Sequence, residues 1–155
     1  MGFKGIFPPQ RSRDYLALVF LFALETAMRS SEILNLKWEH LFLERKYLRV
    51  ADSKNGTRRN VPLSLKAIEI LRILPRSRAY CFPLSHHQRD VYFRKYRQKA
   101  GIQDLTFHDT RHEAITRLAQ KLKIFDLSRM TGIKDLKTLM VYYNATATEI
   151  AERLG

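Results

Sequence analysis

Cysteine is almost missing. Cys81 is the single thiol in 155 residues, so no internal disulfide can form, which suits a reducing cytoplasm. Acidic residues are also few: 15 Asp plus Glu stand against 28 Lys plus Arg, a formal net charge of +13. No acidic cluster of the kind a two-metal nuclease needs is present. There is no G-x-x-x-x-G-K-[ST] segment, so the main phosphate-cradling loop of nucleotide hydrolases is lacking. The five histidines, His40, His86, His87, His108 and His112, match no zinc spacing with Cys81. No metal or cofactor is therefore expected.

Long apolar runs are lacking too. The richest, over residues 15–24, is far short of the roughly 20 residues that cross a bilayer. Arg11 and Arg13 precede it like the start of a leader, but Asp14 and Glu25 bracket it, so it reads as a buried helix. Met1-Gly2 is followed by Ile6 where a myristoylation signal has Ser or Thr. Nothing here suggests export or anchoring, and no repeat, low-complexity tract or linker interrupts the chain.

What is present is a folded, basic domain. Hydrophobic residues make up 45% of the chain, too many for disorder. A chain of this length buries about 70% of its unfolded surface. The excess charge draws polyanions, nucleic acid first among them. A membrane surface is the weaker partner, because no Lys/Arg-rich amphipathic helix is evident.

The patterning predicts an α+β, mainly α-helical domain with a small antiparallel sheet. Residues 1–13 read as an irregular lead, and 14–28 as a central helix capped by Asp14. A short helix follows Ser30-Ser31, with Ile33, Leu34 and Leu36 for the core. Residues 47–50 and 57–61 read as paired strands about an Asn55-Gly56 turn, ended by Pro62. Helices are expected over 64–74, over 85–100 with Gly101 closing it, and over 109–122. Two short helices capped by Asp126 and Asp135 flank Gly132, and the second carries Tyr142-Tyr143. A last amphipathic segment, 146–154, puts Ala147, Ile150, Ala151 and Leu154 on one face.

Several cations sit at distinctive points. Arg29 ends the apolar helix before Ser30-Ser31-Glu32, and Lys54 stands beside the hairpin turn. His108 and Arg111 flank a helix start at i and i+3, where free N–H groups favour an anion. Arg89, Arg94, Lys95, Arg97 and Lys99 load the helix over 85–100 with charge suited to phosphate contacts. Read singly, each has a plain alternative: Arg29 could pair with Glu32, Lys54 could be a turn lysine, and the basic helix a solvated face.

Four blocks in order resemble the tyrosine recombinase (phage integrase) family. They are Thr26-Ala27-Met28-Arg29-Ser30-Ser31-Glu32-Ile33-Leu34, then Ser53-Lys54-Asn55-Gly56 continuing to Val61-Pro62-Leu63. Phe107-His108-Asp109-Thr110-Arg111-His112 and Gly132-Ile133-Lys134-Asp135 ending in Tyr142 complete the set. The resemblance implies that residues 14–155 form a recombinase catalytic domain, without the amino-terminal domain that family members add to clamp the duplex. It implies catalytic roles for Arg29, Lys54, His108, Arg111 and Tyr142, with Glu32 and His112 supporting them. Tyr142 would attack a DNA phosphodiester and form a 3′-phosphotyrosine, with strand exchange and religation needing neither metal nor ATP. Tyr143 competes for that role, and the spacing from Gly132 favours Tyr142. The family usually has His or Trp where Ile133 stands, and Ile can donate no hydrogen bond. Expected partners are double-stranded DNA and, on it, three further copies of the chain, with a monomer when free. The expected setting is the bacterial or phage nucleoid. A DNA-binding module with impaired cleavage is the alternative; a basic RNA-binding protein is a more distant one.

Overall fold

Helix α1 (Ser12–Thr26) is the central helix, with four of the other helices packed on it. Leu16, Leu18, Val19, Phe22 and Ala23 are buried, and Tyr15, Phe20 and Leu21 close most of the remaining circumference. In this computed structural model, which describes residues 5–51 and 58–155, α1 begins two residues before the expected start. Asp14 is not its cap. It is the third helical residue, and its carboxylate reaches back to accept from the N–H groups of Gln10 and Arg11 at 3.0 and 2.8 Å. Those bonds hold the Asp14 carboxyl below its ordinary range.

Helix α2 (Ser30–Leu34) leads into an antiparallel meander of β1 (Leu41–Phe42), β2 (Tyr47–Val50) and β3 (Arg59–Pro62). Leu48 pairs with Leu41 on one side and Val61 on the other, and Val50 pairs with Arg59. Alternation buries Leu48, Val50 and Val61. On the opposite face Phe42 stacks on Tyr47, with the Arg49 guanidinium 5.2 Å from the Phe42 ring. Pro62 ends β3 as its last paired residue. It pairs with Tyr47 on an edge strand, where a missing N–H is tolerated. The expected Asn55-Gly56 turn lies outside the described residues.

Helix α3 (Leu65–Ile73) is capped by the Ser64 hydroxyl, which accepts from the Ala67 N–H. Ile68, Leu71 and Leu74 face the core as expected. Ser85 caps α4 (His86–Lys99), and Gly101 follows it at φ +69. Phe93 of α4 meets Phe20 of α1 and Phe107 at ring distances of 6.5 and 5.6 Å. Helix α5 (Asp109–Ala119) stops three residues early, where the Lys121 and Leu122 N–H groups both turn back to Leu118.

Helix α6 (Ile124–Thr131) starts before Asp126, which is its third residue and not its cap. A carboxylate in the first turn still complements the positive end of the helix. Asp135 does cap α7 (Leu136–Met140), accepting from the Lys137 N–H. That helix closes before Tyr142, which lies in the turn after it. Ala27, Ala114, Ile115, Leu127 and Leu139 form a second, smaller core, with Ile133, Tyr142 and Tyr143 packed on it. Helix α8 (Ala147–Leu154), capped by Thr146, leaves Ile150 and Leu154 exposed.

Phe22→Ala should lower unfolding free energy by about 3–5 kcal/mol, since a fully buried ring is lost from the main core. Deleting residues 147–155, all exposed, should change it by less than about 1 kcal/mol. Urea denaturation followed by circular dichroism measures both.

Candidate active site

Two helices end in the same way, and the site is built on their ends. Thr26 at the close of α1 donates its hydroxyl to the Phe22 carbonyl and accepts from the Met28 N–H. Thr131 at the close of α6 does the same with Leu127 and Ile133. Each chain then turns through a left-handed residue, Ala27 at φ +55 and Gly132 at φ +75. The alanine carries a cost of roughly 1–2 kcal/mol that the glycine avoids. A Cβ on Gly132 would also stand 3.2 Å from the Arg59 side chain, which would have to give way by a few tenths of an ångström.

Arg111 ties these two ends together. Its Nη1 donates to the Ala27 carbonyl at 2.7 Å and its Nη2 to the Thr131 carbonyl at 3.0 Å. Helix C-termini carry partial negative charge, so both acceptors suit a cation. The side chain is buried, and burial, followed by the nearby Arg29 charge, pushes its pKa down to about 10. Asp109 sets the start of this helix by accepting from the Thr106 N–H and hydroxyl.

A buried ion pair holds the other side. Glu32 accepts from Arg59 through both oxygens, each at 2.9 Å, and Arg59 Nε donates to the Met130 carbonyl at 2.9 Å. The same carboxylate accepts from the Arg29 N–H at 3.0 Å and lies 3.4 Å from Arg29 Nη1. Burial would raise the Glu32 carboxyl, but the Arg59 guanidinium and then Arg29 hold it below its ordinary 4.5. The Arg29 side chain is 31% exposed against 6% for Arg59, so Arg29 is the arginine of the pair that solvent or a ligand can reach.

His108 and His112 stand one turn apart on α5, their rings edge to face at 5.2 Å. Burial, then the His112 and Arg111 charges, lowers the His108 pKa. His112 Nδ1 lies 2.9 Å from the Tyr142 hydroxyl. Tyr143 points elsewhere: its hydroxyl donates to the Leu122 carbonyl at 2.9 Å, and burial raises its pKa. Ile133 puts its side chain on the second core, while its carbonyl accepts from Ser128. Arg29, Glu32, His108, Arg111, His112 and Tyr142 thus lie about one surface. Lys54 is outside the described residues, on the connection between β2 and β3.

The basic helix divides in two. Arg94, Lys95 and Lys99 are exposed. Arg89 is bonded to the Ser30 hydroxyl and to Asp90, with its guanidinium over the Phe107 ring, and Arg97 donates to the Leu105 carbonyl. Those two brace α4 against its neighbours. Arg59 was missed in the sequence reading, yet strand alternation marks it: two residues before buried Val61, it shares that inward face. A guanidinium there needs a buried acid.

Chemically, the surface brings arginine side chains and one imidazole nitrogen near a single phenol hydroxyl. Among the described residues no group of His, Cys, Asp and Glu is arranged to hold a metal, and no helix is long and apolar enough to cross a membrane. Glu32→Ala would leave Arg59 buried without its anion and should cost about 3–5 kcal/mol in urea unfolding. Because the folded Glu32 carboxyl is depressed, its stabilisation is present above the unfolded value and lost as pH falls through the folded one. Glu32→Gln should therefore show a shallower loss of stability below pH 4.5 than the parent.

The sequence profile of the phage integrase family matches residues 8–149. A putative integrase/recombinase of Haemophilus influenzae is 40% identical over 142 residues, covering 89% of this chain and 47% of that protein. The shufflon-specific DNA recombinase of Escherichia coli is 34% identical over 142 residues, 90% of this chain and 37% of its own length. The chain thus spans less than half of these curated relatives. The catalytic domain of bacteriophage HP1 integrase has the same fold, with a TM-score of 0.68 at 18% identity, over 96% of this chain and 92% of that one. The Tn1549 transposon integrase, solved with circular intermediate DNA, gives 0.71 at 18% identity, over 93% and 58%. With nine-tenths of its length matched and its helices and sheet arranged as in these catalytic domains, the chain belongs to the phage integrase, or tyrosine recombinase, family.

Proposed function

We propose that this chain is the DNA-cleaving part of a site-specific recombinase, with Tyr142 as nucleophile. The observation that carries the reading is the division between the tyrosines: the Tyr142 hydroxyl meets His112 on the helix that bears Arg111, while Tyr143 is bonded to a carbonyl. In this reading Tyr142 Oη attacks a phosphodiester phosphorus and the bond to the 5′ oxygen breaks. A 3′-phosphotyrosine forms, and a free 5′ hydroxyl reverses the step. The linkage is conserved in the phosphotyrosine, so religation calls for no ATP and no metal.

Arg29 and Arg111 bind the non-bridging oxygens, tightening as charge grows there, and His108 adds a hydrogen bond. Lys54 gives the proton to the leaving oxygen. Arg94, Lys95 and Lys99 contact phosphates of duplex DNA, and Arg89 and Arg97 keep their helix in place for this. Four copies assemble on DNA from free monomers, with the exposed apolar face of α8 available to a neighbouring copy.

A second reading has one observation in its favour. Ile133 packs on the apolar core and offers no side-chain donor, which fits a DNA-binding module with impaired cleavage.

Covalent capture separates the two. The protein, in EDTA and low salt, is mixed with a pool of nicked duplexes that trap the phosphotyrosine. Denaturation-resistant adducts should form with the parent and with Tyr143→Phe and be absent with Tyr142→Phe. Arg29→Ala and Arg111→Ala should each slow capture by about 10²–10³-fold. Salt-sensitive duplex binding without an adduct, reversed by Ile133→His, would support the impaired module. Neither binding nor adduct would overturn both.

A further inference from the structure

We propose that His112 is the general base that takes the Tyr142 proton, a step that rests on the recombinase reading above. A phenol has an ordinary pKa near 10, so attack near neutral pH requires a group that receives its proton. His112 Nδ1, 2.9 Å from the hydroxyl, is within the reach that proton transfer needs.

Among the described residues, no other group stands to the Tyr142 hydroxyl as His112 does. Arg29 and Arg111 are cationic donors with no acceptor atom. Glu32 is buried and bound by Arg59 and Arg29. His108 meets His112 ring to ring, and no bond joins it to Tyr142 among the described contacts. His112 is also well placed mechanically. It follows Arg111, whose two carbonyl bonds fix α5 against the ends of α1 and α6. Tyr142 is held from the other side by its packing on the second core and by its N–H bond to Leu139.

The step balances. The step requires a neutral His112 with its proton on Nε2, so that the Nδ1 lone pair faces the hydroxyl. A Tyr142 Oη lone pair forms the bond to phosphorus as its proton passes to Nδ1. The electron pair of the broken P–O bond stays on the 5′ oxygen, which takes a proton from the acid, Lys54. On religation His112 returns its proton to Tyr142.

The test uses the whole chain and the duplex recovered by covalent capture, made with an ordinary linkage and with a bridging sulfur in place of the 5′ oxygen. A thiolate leaves without an acid, so Lys54→Ala should recover on the sulfur linkage. His112→Ala should slow single-turnover adduct formation by roughly 10²–10⁴-fold on both linkages, with duplex binding unchanged, and free imidazole should restore part of the rate. A rate within about threefold of the parent would overturn the proposal. So would a defect that vanishes on the sulfur linkage, or full restoration by His112→Asn, which can hold the hydroxyl but take no proton. A parent that forms no adduct fails the recombinase reading itself. Nitrogen NMR on the unliganded chain then decides the His112 claim: an unprotonated Nδ1 that shifts in Tyr142→Phe supports it, and a neutral ring with its proton on Nδ1 overturns it.

Discussion

Two guanidinium groups held inside the fold are the constraint on which the rest depends. Arg111 and Arg59 both end at the last turn of α6, on the carbonyls of Thr131 and Met130. Arg111 continues to the end of α1, and Arg59 to Glu32 on α2. Removing such charges from water costs several kcal/mol each, which only well-placed acceptors offset. The negative ends of helices and one buried carboxylate provide them. The ends of α1 and α6, the short helix α2, the start of α5 and strand β3 are therefore positioned by one charge network. A shift in any of them would strand a buried cation.

The network is unbalanced in charge. Among the described residues, three arginines gather about the one buried carboxylate, Glu32, in a chain already at +13. Burial and the neighbouring Arg29 charge lower the pKa of Arg111, so both disfavour its charged form. A phosphate at this surface would relieve both. Electrostatic stabilisation of this sort acts best where donors are fixed before the substrate arrives. Here they are fixed by bonds to backbone.

The departure at Ile133 has a structural counterpart. The residue after Gly132 packs on the small core with Leu139 and the two tyrosines, so an apolar side chain there adds contact beneath the tyrosine turn. What it removes is a donor. Among the described residues, the side-chain bond that the Tyr142 hydroxyl makes is to His112 of α5.

Much of the fold was legible in the sequence because its signals are local. Ser64, Ser85, Asp135 and Thr146 cap helices, and Gly101 and Gly132 end them, through bonds that reach only two to five residues along the chain. Where the reading erred, at Asp14 and Asp126, the acid was in the first turn but two residues inside it, a distinction that composition cannot make. The ordered blocks carried the family and most of the candidate residues. They did not carry the partners. Arg59 reaches Met130 across 71 residues, Arg111 reaches Ala27 across 84, and His112 meets Tyr142 across 30. Which tyrosine faces the cations, and which basic residues brace helices instead of facing solvent, follow from how distant segments dock. The sequence by itself determined most of the elements, several of their caps and the chemical types at the site, since those depend on neighbours along the chain. Only the tertiary structure decided the pairing of the charges and the direction of the phenol, because buried ions and hydrogen bonds are satisfied in space.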